Sequence, residues 1–131
     1  MPIDMKRNLT MLTDFYEITM SNGYLEYGLE ERTAVFDMFF RKIPDDGGFA
    51  IFAGLEQLIE YIKDLEFTEE DIEFLRGKGQ FSEAFLAYLK NFRFSCDIWS
   101  MREGTPVFPY EPVVVVRGTC GWPWLPRATG G

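Results

Sequence analysis

The sequence contains no histidine. Imidazole is the commonest general base, nucleophile and metal ligand near neutral pH, so any chemistry here has to rest on other groups. Cysteine is scarce as well: Cys96 and Cys120 lie in unrelated contexts, and two such residues do not make a disulfide framework. Both read as thiols. No stretch approaches the roughly eighteen apolar residues of a membrane-spanning helix, and residues 1–8 lack the apolar core of a signal peptide. The expectation is a soluble cytoplasmic protein with no membrane partner. Basic residues are in deficit, thirteen Lys and Arg against twenty-one Asp and Glu, for a formal charge of −8. That surface repels a nucleic-acid backbone, so no nucleic-acid partner is expected. A short basic spot such as Arg41 with Lys42 can still hold a small phosphorylated ligand, because it acts within one Debye length.

What is present suits one domain. The 131 residues are 47% hydrophobic and 17% aromatic, enough to bury a core, and the thirteen phenylalanines spread along the chain predict that this core is continuous. No repeat or linker divides the chain. Helical spacing of Phe15, Ile18, Asn22 and Leu25 predicts a first helix over 13–27, with Thr13 and Asp14 as caps and Gly28 as the stop. Residues 33–42 are branched and aromatic, which predicts a strand with one largely buried face. The run of Pro44, Asp45, Asp46, Gly47 and Gly48 is a loop. Leu55, Leu58, Ile59, Ile62 and Leu65 then recur at steps of three and four, the clearest helical pattern in the chain. Thr68 and Asp71 fit a capping box at the head of a short helix that ends near Gly77, and Ser82 opens another. Beyond Phe94 the period changes to two. Two strands follow, around 94–100 and 112–117, and they must pair with the earlier strand or with other sequence to be stable. The expected class is α+β.

No residues in this pattern form a nucleophile with its base, a phosphate loop or a cysteine cluster, so no catalytic residue is expected. The run Glu69, Glu70 and Asp71 is better explained by the helix dipole at a first turn than by a metal, and no metal site is expected. Two features are candidates for binding. Asp14 and Tyr16 stand at the head of the first helix, where a carboxylate and a ring can meet a planar ligand. From spacing alone, a capping carboxylate beside a half-buried core tyrosine is the better account. Arg41 with Lys42 precedes a glycine loop and suits phosphate, although a solvated strand end fits equally well.

Taken in order, the segments LTDFYEITM (12–20), AVFDMFFRK (34–42), GGFAIFAGLE (47–56), FTEEDIEFL (67–75) and EGTPVFPYEP (103–112) resemble the opening of nicotinate phosphoribosyltransferases. The resemblance covers residues 9–118. It implies an α/β-hammerhead-like amino-terminal domain of a type II phosphoribosyltransferase, without the barrel domain that carries most of the active site. The full-length enzymes form nicotinate mononucleotide from nicotinate and phosphoribosyl diphosphate in NAD salvage, with ATP hydrolysis and magnesium. They are cytoplasmic dimers whose active sites lie between subunits. By the same resemblance, Tyr16 stacks on the pyridine ring in the partner's barrel and Arg41 holds phosphate there. Asp14 lies near the substrate, and Lys42 joins the set by adjacency. No cofactor is expected on this chain by itself.

The resemblance stops near Gly118. Residues 1–118 are read as the domain and 119–131 as a disordered tail foreign to the family, of a kind that a shifted reading frame or a premature stop would produce. The histidine that takes up phosphate in the ATP-coupled step belongs to the barrel. The chain by itself is therefore expected to be inactive. Other readings are a non-catalytic binding module, or part of a related nicotinamide or quinolinate phosphoribosyltransferase.

Overall fold

The computed structural model describes residues 8–119; the tail expected from residue 119 onward, with Cys120, lies outside them apart from the backbone of Thr119. The class is α+β as expected. Among the described residues, four α-helices, α1 (Phe15–Glu26), α2 (Leu55–Lys63), α3 (Glu69–Gly77) and α4 (Glu83–Lys90), and a 3-10 turn at Pro44–Asp46 accompany five strands, β1 (Thr33–Met38), β2 (Ala50–Ile51), β3 (Asp97–Ser100), β4 (Pro106–Val107) and β5 (Val114–Thr119).

Helix boundaries follow local chemistry. Thr68 and Asp71 form the predicted capping box at α3: the Asp71 amide donates to Thr68 Oγ1 at 3.2 Å and the Thr68 amide to Asp71 Oδ2 at 2.9 Å. Ser82 caps α4 by accepting the Phe85 amide at 3.1 Å. Gly28, at φ 66°, ends α1 where a side chain would be strained. Asp14 departs from expectation: it occupies the N-cap position of α1, but its carboxylate makes no capping bond. The Thr13 hydroxyl turns instead to Glu17, donating to Oε2 at 2.7 Å.

The late strands pair with the early one, as the marginal stability of a lone pair required. β5 is the middle strand of a three-stranded antiparallel sheet, with β1 and β3 on its two sides, and β2 pairs with β4 in a second, smaller ladder. Register sorts the sheet into two faces. Phe36, Val116 and Ile98 share one row and Met38, Val114 and Ser100 another, and Val114 and Val116 are buried. The alternate rows, Val35 with Arg117 and Asp97, then Asp37 with Val115 and Trp99, turn the other way.

Two expectations fail here. The strand predicted over 33–42 stops at Met38 and has no largely buried face: Val35 is 59% exposed and Phe36 40%. An edge strand has neighbours on one side only, so its apolar residues cannot be enclosed within this sheet. The core is also not continuous. One cluster gathers the helices around Ile18, Leu75, Phe85, Leu86 and Leu89, and a second gathers the sheets around Phe52, Val107, Val113, Val114 and Val116. Phe94 and Cys96 pack against both and join them.

Gly118 is fixed by that junction. A Cβ built there would lie 2.0 Å from Cys96 Sγ, so any side chain at this position would force β5 or Cys96 to shift.

Candidate functional site

The first turn of α1 presents its residues to opposite sides. Glu17 and Ile18 are buried, at 8% and 3% exposure, whereas Tyr16 is 44% exposed. Met20, four residues further along α1, is also exposed, as is Leu12 ahead of the helix. The backbone around Tyr16 is firmly held: the Glu17 amide donates to the Asp14 carbonyl at 3.0 Å, and the Thr19 hydroxyl donates to the Tyr16 carbonyl at 2.9 Å. Phe15 meets Phe81 edge to face at 5.8 Å, and Phe81 continues to Phe85 at 5.6 Å, tying the turn into the helical cluster. Asp14 is exposed beside Tyr16.

Arg41 and Lys42 occupy a bend after β1 rather than the strand end predicted for them. The bend is held on both sides. The Tyr110 amide donates to the Phe40 carbonyl at 2.7 Å, the rings of Phe39 and Tyr110 lie 5.8 Å apart, and Ile43 is buried. Both cations are exposed, but their company differs. Lys42 lines an open hollow together with Ile43, Pro44, Asp45 and Asp46, and those two carboxylates repel the anion that Lys42 would attract. Arg41 does not line that hollow, and a planar guanidinium can engage two oxygens of one anion. Tyr16 and Asp14 stand at the head of α1, whose Ile18 lies in the helical cluster, while Arg41 and Lys42 follow Phe40, which packs against the sheet cluster.

Known proteins resemble this arrangement over the same span. Residues 11–122 match the family model described as the nicotinate phosphoribosyltransferase (NAPRTase) N-terminal domain. The chain belongs to the nicotinate phosphoribosyltransferase family. Nicotinate phosphoribosyltransferase pncB2 of Mycobacterium tuberculosis is 43% identical over 104 residues, which are 79% of this chain and 22% of that protein. Nicotinate phosphoribosyltransferase of Bacillus subtilis is 39% identical over 110 residues, 84% of this chain and 22% of its own length. Among solved structures, that of human nicotinic acid phosphoribosyltransferase aligns with a TM-score of 0.76 at 30% identity, covering 83% of this chain and 22% of the human one. The chain thus spans about a fifth of the length of these nicotinate phosphoribosyltransferases.

Among the described residues no group of three or more Asp, Glu, Cys or His side chains could hold a metal ion. No helix among them is long and apolar enough to cross a membrane.

Three residues of the site region gave no signal in the sequence. Glu17 reads as a polar residue on an amphipathic helix yet is buried, with Tyr61 of α2 close by: burial, then the charge of Glu17, pushes the Tyr61 phenol up to about 12. Glu103 lies far from α2 in sequence, yet both its oxygens reach the head of that helix, accepting the Gly54 amide at 2.9 Å and the Leu55 amide at 3.0 Å. Tyr110 holds a left-handed backbone at φ 66°, which no motif foretold.

Proposed function

We propose that this chain supplies the amino-terminal domain of an enzyme that condenses nicotinate with phosphoribosyl diphosphate, giving nicotinate mononucleotide and diphosphate with coupled ATP hydrolysis. Residues 1–118 are read as that domain and 119–131 as a tail, although its first four residues still fall within the matched span. In this reading Tyr16 stacks on the pyridine ring in the barrel of a partner subunit, and Arg41 holds phosphate of the same ligand set. Asp14 flanks the ring and Lys42 flanks the phosphate. The setting is a cytoplasmic homodimer, with ATP and magnesium engaged by the barrel, and the chain by itself does not turn over substrate.

The observation that carries the reading is the outward ring of Tyr16, 44% exposed on a first turn whose next two residues are buried. A flat, electron-poor ring is the ligand that such a tyrosine face suits, and stacking supplies binding without a charged contact. A guanidinium on a separate element suits the phosphate end of the second substrate.

The test grafts residues 9–118 in place of the matching segment of the Bacillus subtilis relative. The graft is expected to form nicotinate mononucleotide, and Tyr16→Ala in it to raise KM for nicotinate by about tenfold, the loss of one good ring contact with its buried area. An unchanged KM would count against the stacking role, and an inactive graft against the domain assignment.

A further inference from the structure

Building on the assignment of Tyr16 to ring binding, we infer that Glu17 is the residue that positions Tyr16. The two are neighbours on α1, so their side chains leave the helix about 100° apart, and holding one inward sets the direction of the other. Glu17 is held inward at 8% exposure. Its carboxylate accepts the Thr13 hydroxyl at 2.7 Å, which bonds the segment before the helix to the third residue within it. Its amide donates to the Asp14 carbonyl at 3.0 Å and its carbonyl accepts the buried Ser21 hydroxyl at 2.9 Å, so one residue closes the first turn and starts the second.

Packing alone does not call for a carboxylate at this point. A leucine would fill an inward position of α1 without the cost of removing a charge from water. The charge lies at the positive end of the helix dipole, and Tyr61 of α2 stands close enough for its phenol to respond to it. The acceptor, rather than the volume, is what ties the segment around Thr13 and the first turn into one unit. Tyr16 is exposed within that unit, at 44%, beside Asp14 and Phe15.

The experiment places a single 3-fluorotyrosine at position 16 of the 131-residue chain and follows its fluorine resonance. One narrow line is expected in the parent. Glu17→Leu is expected to broaden or split it, while Glu17→Gln, which still offers an oxygen to Thr13, restores the single line. Thr13→Val removes the donor without altering Glu17 and is expected to reproduce the broadening, which covers the case that Glu17→Leu fails to fold. Ile72→Val loosens the helical core away from this turn and serves as the control. A parent-like line in Thr13→Val, failure of Glu17→Gln to rescue, or equal broadening in the Ile72→Val control each overturns the inference. Because no ligand is present, these outcomes are separate from failure of the nicotinate reading, which only the KM measurement reports.

Discussion

Glu103 and Gly54 are distant in sequence, yet the Gly54 amide donates to Glu103 Oε1 at 2.9 Å, and the Leu55 amide does the same to Oε2 at 3.0 Å. A helix whose own N-cap is a glycine has no side chain to satisfy its first amides, and here the turn between β3 and β4 provides one. Glu103→Ala is expected to lower stability by about 1 kcal/mol, in the range of a lost N-cap. Urea unfolding reads the loss as a lower midpoint at an unchanged slope. A midpoint identical to the parent's would show the carboxylate to be dispensable.

A second test concerns the junction of the two clusters. Gly118→Ala puts a methyl 2.0 Å from Cys96 Sγ and 2.7 Å from its Cβ, so β5 or the Cys96 segment must move. Overpacking of this kind costs about 1–3 kcal/mol. Cys96→Gly in the same chain clears both contacting atoms and is expected to recover part of the loss in thermal unfolding. The absence of any loss in the single variant would mean that the approach is looser than described.

Alkaline pH gives a third. The Tyr61 phenol is pushed up from its usual 10.0 to about 12 by burial and then by Glu17, so the folded chain keeps its proton where the unfolded chain releases it. The resulting stability is whole below pH 10 and is lost as pH rises through about 12. Tyr61→Phe is expected to flatten that alkaline limb while leaving the neutral region nearly level. If the parent shows no decline specific to Tyr61 in this window, the phenol is more hydrated than its surroundings indicate.

A fourth prediction separates the two neighbouring cations. In the grafted enzyme, Arg41→Ala is expected to raise KM for phosphoribosyl diphosphate by about tenfold or more, the worth of a charge-assisted contact. Lys42→Ala is expected to change it less, because Asp45 and Asp46 already offset that charge. Mixed with a subunit whose barrel is inactivated, the Arg41→Ala chain is expected to regain part of its activity through hybrid dimers. Equal effects at the two positions, or no recovery in the mixture, would remove Arg41 from its role.

The parts of the fold that could be read from sequence are those whose physics is local. Thr68 with Asp71, Ser82 with Phe85, and Gly28 after α1 all act within a turn of themselves, and each stands as its spacing indicated. Contacts across the chain were not legible. Glu103 reaches α2 from a separate turn, Glu17 looks like any polar helix residue, and the exposure of Val35 and Phe36 depends on β1 being at the edge of the sheet. The same holds for Arg41, whose residue type suggested phosphate while its bend is set by Tyr110 bonding to Phe40. Composition names a chemistry, and only tertiary contacts give its address.

The central place of β5 sets an order of assembly. Thr33 pairs with Thr119 and Met38 with Val114, so among the described residues β1 has no hydrogen-bonded strand neighbour until β5 is made. β3 waits for the same strand. The buried residues of the helical cluster end at Phe92, with Phe94 and Cys96 packed against them. Most of the helical cluster can therefore form before the sheet, which closes through contacts far apart in sequence, the slowest kind to form.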